Sequence, residues 1–343
     1  MAEVLDLSAG LTLIPRETPE QWIEQAKERW SPIRTFCLYS GGNDSGVLAH
    51  RCREHYDTLF YIDTGLAVPT IEFKGEKLLG VEDHVQRFAE FVGKPLVILR
   101  AGDAYRTMVV GDDLWWERFH GEPGDRTIEE FADLDRSRYD GQIEGRIRGT
   151  DIHLGRYPHG FPAAAQHDKP FKRLKERRIE EMRNIAKKGH SRFAKVLFLS
   201  GVRRDESSQR ANIPAEDKDA KGSIRYVAPL VEWLNDEMRA YLAEHQLPQS
   251  FAAETLHRSG ECNCGAASND PEAERKELEL WYPEWFFETI RPLELEAEAK
   301  GIRWCRWGGF DRDGNRASGE PTNRRTGAGN LCSRCLPGQM ELG

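Results

Sequence analysis

The sequence predicts an α/β protein built on a doubly wound, mostly parallel sheet of five strands. Two observations lead to this fold class. Short apolar runs of strand length alternate with amphipathic segments of helical length along the first 100 residues, and the alternation returns after residue 195. Strands that alternate with helices are joined by right-handed crossovers and therefore pair in parallel.

The elements of the first part follow from this periodicity. Residues 19–30 carry their apolar side chains on one helical face, and Pro32 ends that helix. The segments that follow are a strand, a helix, a strand, a helix and a strand, predicted at residues 35–40, 45–56, 58–63, 82–93 and 96–100.

The alternation stops between about residues 102 and 193, where the chain is polar and contains a basic helix and its exit at 169–195. It returns at 195–207 with a strand that ends in a polar loop, followed by a short strand at 223–230 and helices at 235–248 and around 271–299. We expect three regions: a helical arm at 1–32, a nucleotide-binding domain at 33–250 with a basic helical insertion at about 102–193, and a cysteine-rich region at 251–343.

The composition sets limits on location and partners. The chain has 343 residues, of which 39% are hydrophobic and 31% charged, and a net charge of −8. No apolar run approaches the roughly 20 residues of a membrane span, and the first residues lack the features of a signal peptide, so we expect a cytoplasmic protein without membrane contact. A negative total charge does not suit nucleic acid over the whole surface, but it leaves room for a local basic patch.

The turn "SGGNDS" at residues 40–45 lies between the first strand and the following helix. Gly41 and Gly42 allow close backbone approach, and a helix amino terminus favours an anion. Ser40 and Ser45 add hydroxyl donors. Asp44 suits an anion site only when a cation intervenes, which indicates Mg²⁺. These residues alone also fit a bare strand-to-helix turn.

Further motifs carry a family resemblance. The turn has no Walker lysine; it resembles the SGGxDS loop of the ATP-pyrophosphatase (PP-loop) superfamily, with Asn43 where many members have lysine. The segments 61–73, 200–211 and 226–248 resemble the phosphoadenosine-phosphosulfate (PAPS) reductase branch of that superfamily. The resemblance spans about residues 35–250 and implies an adenine nucleotide alpha-hydrolase-like fold that binds ATP or a related nucleotide.

This resemblance, together with the chemistry of the side chains, indicates the site residues. Arginine supplies planar donor forks for phosphate or sulfate oxygens. We expect catalytic roles for Asp44, Arg203 and Arg204. The residues expected to bind nucleotide or phosphate are Ser40, Gly41, Gly42, Asn43, Asp44, Ser45, Asp63, Thr64, Gly65, Arg203, Arg204, Ser207 and Arg210.

Two close cysteine pairs in the last quarter of the chain predict a metal centre. Cys262 and Cys264 form a C-x-C pair, and Cys332 and Cys335 form a C-x₂-C pair. Four such thiolates suit either a structural Zn²⁺ or a [4Fe–4S] cluster. The family resemblance favours the iron–sulfur cluster.

The remaining cysteines have other expected roles. Cys37 and Cys52 lie in apolar surroundings and are expected to be buried. Cys305 is a fifth candidate in the last quarter: it could be an alternative metal ligand, a sulfur carrier or a side chain packed beside Trp304 and Trp307, and packing is favoured. The chain lacks the carboxy-terminal E-C-G-(L/I)-H motif that carries the catalytic cysteine of the reductases. This departure weakens a reductase assignment.

Three functions remain open at this point. The first is a sulfurtransferase that adenylates an acceptor, releases pyrophosphate and inserts sulfur; it resembles enzymes of DNA phosphorothioation, which implies a nucleic-acid acceptor and a cysteine desulfurase as donor. The second is a PAPS or adenosine phosphosulfate (APS) reductase. The third is a non-catalytic nucleotide-binding subunit of a sulfur-modification or defence complex. The basic helix at 169–195 suits a polyanion or an ordinary solvated face, because glutamates interrupt it. The oligomeric state does not follow from the sequence.

Overall fold

A computed structural model describes residues 16–120, 155–163, 166–206, 210–216, 222–256, 258–266 and 270–317. It contains the predicted five-stranded sheet, in the order β5-β2-β1-β6-β7, and all four strand pairings are parallel. The strands are β1 Arg34–Leu38, β2 Thr58–Asp63, β5 Leu96–Arg100, β6 Val196–Leu199 and β7 Ile224–Val227. A separate antiparallel hairpin, β3 Ile71–Phe73 and β4 Glu76–Leu78, was not predicted, because strands of three residues are too short for an alternating pattern to be recognised.

Helices cover both faces of the sheet. Two of them contain a π-helical stretch: α6 spans 168–186 around Phe171–Glu176, and α10 spans 283–299 around Phe286–Ile290. The others in the described part of the chain are α1 Pro19–Trp30, α2 Asn43–Arg51, α3 Val81–Val92, α4 Ala104–Val110, α5 Asp113–His120, α7 Asn235–Glu244, α8 Phe251–Thr255 and α9 Pro271–Trp281.

Helix α1 shows how local sequence sets an element. Thr18 and Gln21 form a capping box, in which each side chain accepts a hydrogen bond from the other residue's backbone N–H, and Pro19 occupies the first helical turn. A cap of this kind contributes about 1 kcal/mol. Ile23 and Ala26 are fully buried on the inner face, as the apolar spacing predicted.

One face of the sheet is covered by α6. Phe36, Phe60 and Phe198 lie side by side on three strands, and the Phe36 and Phe198 rings stack at 5.5 Å. Ile179 and Met182 of α6 close this layer. The apolar face of α6 therefore packs against the sheet, and the first turns of this helix reach the carboxyl edge of the sheet.

The opposite face forms a larger core that includes residues from both ends of the chain. Cys37 and Cys52 are completely buried there, as expected, and burial raises the pKa of both thiols. Cys305 is completely buried in the same core, in agreement with the packing role expected for it. Residues on both sides of position 250 share this core. The domain boundary predicted there stays a prediction.

Membrane insertion finds no support in the described helices, none of which combines the length and the apolar character that a bilayer span requires.

A buried histidine beneath the turn at residues 40–45 predicts that the stability of the fold depends on pH. His84 is 4% exposed, its Nε2 lies 2.8 Å from the Tyr39 hydroxyl, and burial lowers its pKa to about 4 from an ordinary 6.5. The folded state therefore favours the neutral ring, so stability is complete above pH 6.5 and is lost as the pH falls toward 4. We expect a loss of about 2 kcal/mol in the free energy of unfolding between pH 7.5 and 5. Urea titrations of wild type and His84→Gln check this; an equal loss in the variant would assign the effect to other groups.

Candidate functional site

A cleft of about 520 Å³ opens at the carboxyl edge of the sheet, where the loops after β1 and β6 meet. From β1 the chain continues to β2 on one side of it in the strand order, and from β6 it continues to β7 in the opposite direction. The position between β1 and β6 is therefore a topological switch point, where ligands bind in open parallel sheets. Predicted site residues that line the cleft are Ser40, Gly42, Asn43, Asp44, Ser45, Arg203, Arg210 and Cys262.

The turn after β1 is shaped as an anion loop. Gly41 has a φ of +80°, and a Cβ there would lie 2.9 Å from Cγ1 of Val81, so both backbone conformation and space require glycine. The Ser45 hydroxyl donates to the Gly42 carbonyl at 2.9 Å and accepts from the Ser40 N–H at 3.2 Å. No side chain caps the amino terminus of α2, so its first amide groups remain suited to an anion.

The loop after β6 lies directly against this turn. A Cβ on Gly201 would lie 3.0 Å from the Ser45 backbone nitrogen, so a larger residue there would push the two loops apart by a few tenths of an ångström. Arg203 donates from Nε to Oδ1 of Asp44 at 3.2 Å, and its Nη2 lies 3.1 Å from the same oxygen. Burial raises the pKa of Asp44, and the Arg203 guanidinium opposes this shift. The pair ties the two loops together.

Arg203 is 4% exposed and has further protein partners. It donates to the Trp233 carbonyl at 3.1 Å and to Oδ1 of Asn235 at 2.9 Å. Its described contacts therefore fix the loops rather than leave the guanidinium open to a phosphate. A catalytic role for Arg203 stays a prediction.

The other two predicted arginines differ in position. Arg204 does not line the cleft: it donates to the Ile213 carbonyl at 2.9 Å and pairs with Glu232 at 3.2 Å. Arg210 does line the cleft, is 5% exposed and pairs with Glu206. Of the two, only Arg210 is placed to add positive charge to a bound anion.

The residues after β2 are not part of the cleft lining. Asp63 accepts from the Gly65 N–H at 2.9 Å and from Arg100 at 2.5 Å. The Thr64 hydroxyl donates to the Glu261 carbonyl at 2.6 Å. The described contacts of this turn therefore hold the cysteine-containing segment in place, and nucleotide contact by Asp63, Thr64 and Gly65 stays a prediction.

Cys262 brings a thiol into the cleft. A hydrogen bond from Cys264 is the main cause that lowers the pKa of Cys262 to about 7, and the charge of Lys175 adds to the effect. Cys264 is buried, and its carbonyl accepts from the Tyr105 hydroxyl at 2.9 Å. A lowered pKa favours the thiolate, which is the form that binds metals and acts as a nucleophile.

Several cleft residues were not found from the sequence. Lys175 and His167 come from α6 and the segment before it, and Lys175 pairs with Glu261 beside Cys262. Arg258 and Ser259 precede the cysteine pair. Nothing in the spacing of α6 signals that its first turns reach this edge. Asn43 donates to the Gln249 side chain at 3.4 Å.

The cofactor expectations can be compared with the donor groups present. The adjacent Cys262 and Cys264 thiols fit two ligands of a cluster or a zinc ion, while Cys332, Cys335 and the predicted phosphate-binding Ser207 lie outside the described residues. Among the residues that the structure describes, no three His, Cys, Asp or Glu side chains form a complete metal site. Asp44 fits Mg²⁺, which commonly binds one or two carboxylates together with water and substrate phosphates.

Comparison with known proteins supports the PAPS reductase resemblance. Residues 126–262 match the family model described as "Phosphoadenosine phosphosulfate reductase domain". The chain is 36% identical over 81 residues to the adenosine 5'-phosphosulfate reductase of Staphylococcus haemolyticus, covering 23% of this chain and 33% of the relative. It is 33% identical over 81 residues to adenosine 5'-phosphosulfate reductase 2 of Bacillus subtilis, covering 23% and 34%. The chain thus spans about a third of the length of these curated relatives.

Two solved structures are similar at low sequence identity. The PAPS reductase of Candida auris has a TM-score of 0.38 and 16% identity, covering 70% of this chain and 85% of that one. The U34-tRNA thiolase of Methanococcus maripaludis, solved with its [4Fe–4S] cluster, has a TM-score of 0.35 and 13% identity, covering 82% and 78%. Both scores are too low to carry an argument. The match over residues 126–262 takes in the loop after β6 and Cys262, so this part of the chain is similar to the phosphoadenosine phosphosulfate reductase domain.

Proposed function

We propose that this protein is an ATP-pyrophosphatase-type sulfurtransferase, an enzyme of the sulfur-related PP-loop class. One observation carries the proposal: a single cleft brings together the anion loop at residues 40–45 and the Cys262 thiol. An anion loop alone serves many phosphate reactions, and a cysteine pair alone serves many metal sites. Their shared cleft suits a reaction that joins nucleotide activation to sulfur chemistry.

In the first step, an acceptor oxygen attacks the α-phosphorus of ATP, and the bond to pyrophosphate breaks. The Ser40–Ser45 loop and the amino terminus of α2 hold the departing pyrophosphate. Arg210 and Lys175, each paired with a glutamate at the cleft wall, donate hydrogen bonds to its oxygens. Asp44 is the carboxylate that would hold Mg²⁺, which supplies charge neutralisation on the phosphates when bound.

In the second step, a sulfur atom at the oxidation level of sulfide displaces AMP from the adenylated acceptor. Cys262 and Cys264 would hold a [4Fe–4S] cluster, or alternatively Zn²⁺, together with Cys332 and Cys335, and a cluster would supply a binding site for sulfur. The acceptor we propose is a nucleic acid such as the DNA backbone. The proposed sulfur donor is a cysteine desulfurase, whose persulfide sulfur is brought to the sulfide level by two-electron reduction with a thiol reductant.

A reductase of APS or PAPS is the second candidate, favoured by the APS reductases among the relatives. Such an enzyme needs an accessible thiol to attack the sulfur of its substrate. Cys305 is fully buried and burial raises its pKa, which does not suit that role. Among the described cysteines, this function would therefore depend on Cys262.

Product analysis separates the candidates. The purified full-length protein is incubated with ATP, acceptor nucleic acid and a sulfide source, and in parallel with APS or PAPS and a thiol reductant. The sulfurtransferase proposal expects AMP and pyrophosphate in the first reaction and no sulfite in the second. Sulfite release without pyrophosphate would identify a reductase, and tight ATP binding without either product would identify a non-catalytic nucleotide-binding subunit.

A further inference from the structure

A group of cations lies at the opposite edge of the sheet from the cleft. Helix α6 ends at Ala186, and the chain then runs through an exposed loop into β6. We call this the basic exit surface and define it by Lys187, Lys188, Arg192, Phe193, Lys195 and Arg225. Lys195 directly precedes β6, and Arg225 lies near the start of the adjacent β7.

The cations of this surface are held close together by carbonyl groups. The Lys187 ammonium donates to the Arg192 carbonyl at 2.6 Å. The Lys195 ammonium and Nη1 of Arg225 both donate to the Gly222 carbonyl, at 2.7 and 3.2 Å. Within the described ranges, no ion pair joins any of the five cations to an acidic side chain.

Crowded cations without acidic partners repel one another. The pKa of Lys195 is lowered, by burial first and then by the charges of Arg225 and Lys187. The whole chain carries a net charge of −8, so the charge of this surface is opposite in sign to the net charge of the protein. An anionic partner would relieve the repulsion, and the number of cations favours a polyanion over a single ion.

An exposed aromatic ring lies within the same surface. Phe193 is 68% exposed, and the Arg192 guanidinium lies 4.6 Å from the centre of its ring. A single exposed ring is ordinary on a protein surface, but this ring lies among five cations. Cations that track a phosphate backbone, combined with a ring on which a base stacks, are typical of single-stranded nucleic-acid binding.

The middle of α6 does not share this character. Lys175 pairs with Glu261, Lys172 with Asp168, and Arg178 with Glu181. The sequence left open whether 169–195 contacts a polyanion or is an ordinary solvated face, and these ion pairs leave its exit as the part better suited to a polyanion. Lys175 at the cleft and Lys187 lie twelve residues apart, or roughly 18 Å along a helix, so a strand with one phosphate in the cleft would pass the exit surface several nucleotides away.

We propose that the basic exit surface binds the backbone of a nucleic acid and that Phe193 stacks on a base of a single-stranded segment. The choice of nucleic acid, rather than another polyanion, rests on the proposed function. Binding is measured without ATP, so its failure can be distinguished from a failure of pyrophosphate chemistry.

Fluorescence anisotropy with labelled single-stranded DNA, single-stranded RNA and duplex DNA tests the proposal. Lys188→Glu combined with Arg192→Glu is expected to weaken all three complexes at least tenfold at about 50 mM salt, and to lower the slope of log K against log salt by about 1.4 for single strands. Phe193→Ala is expected to weaken the single-stranded complexes about tenfold and to leave duplex binding unchanged. All these positions are exposed, so the fold should be retained.

The matched control combines Arg87→Glu with Lys276→Glu, which reverses two exposed cations on α3 and α9. It should leave at least half of the wild-type affinity. An equal loss of affinity in the control would mean that binding depends on total charge alone, and it would overturn the proposal. The proposal also fails if wild type binds none of the three nucleic acids at low salt, or binds only vesicles that contain phosphatidylserine.

Discussion

Replacing Arg203 by leucine is expected to destabilise the fold by about 3–5 kcal/mol and to abolish pyrophosphate chemistry. The guanidinium is 4% exposed and donates to Asp44, to the Trp233 carbonyl and to Asn235. Its removal leaves a carboxylate without its cation and two further acceptors without a donor. Breaking a buried ion pair by removing one partner costs about that amount. Urea denaturation of wild type and Arg203→Leu measures the change.

The neighbouring arginine provides the control. The Arg204 side chain is 39% exposed and pairs with Glu232 on the far side of the loop. Arg204→Leu is expected to cost about 1 kcal/mol or less, as for other exposed pairs, and to retain pyrophosphate exchange. If Arg203→Leu folded with wild-type stability but lost activity, Arg203 would be a phosphate ligand and not the tie between the two loops.

Replacing Cys262 by serine is expected to reduce sulfur transfer at least 100-fold and to lower the bound iron or zinc. The hydrogen bond from Cys264 and the charge of Lys175 favour a thiolate at Cys262, whereas a serine hydroxyl stays protonated and is a poor ligand. The anion loop is unchanged in this variant, so ATP–pyrophosphate exchange should remain near the wild-type rate. Metal analysis and both activity assays on the same preparation check the split.

Cys305→Ser is the matched substitution at a cysteine outside the cleft. Cys305 is fully buried in the main core, so the hydroxyl should cost about 1–3 kcal/mol of stability. Metal content and both activities should persist below the unfolding temperature. Full metal content and sulfur transfer in Cys262→Ser would contradict the proposed role of the cysteine pair, as would their loss in Cys305→Ser.

The sheet could be predicted from the sequence because its strands are apolar, both the largely buried inner strand at 58–63 and the partly buried edge strand at 96–100. Segments such as 58–63 and 96–100 are short apolar runs between polar turns, and their observed bounds agree with the predicted ones. The hairpin at 71–78 was missed because its strands are too short for an alternation of apolar and polar residues to be recognised. Its strands are only three residues long and mostly exposed.

The candidate site was predictable only where one segment carries the chemistry. The anion loop is contiguous, so its residues could be identified together. Two of the partners of Arg203, Trp233 and Asn235, lie about 30 residues further along the chain, and only the fold brings them to it. Lys175 enters the cleft because α6 crosses one whole face of the sheet. Thr64 turns toward the Glu261 carbonyl, a contact nearly 200 residues away in sequence.

The central claim is that the cleft at the carboxyl edge activates an acceptor with ATP and releases pyrophosphate. The most direct measurement is the exchange of labelled pyrophosphate into ATP by the full-length protein, in the presence of Mg²⁺ and single-stranded or duplex nucleic acid. The account predicts exchange that depends on the acceptor and is lost in Asp44→Ala. Tight ATP binding with no exchange under any acceptor condition, or full exchange in Asp44→Ala, would contradict it.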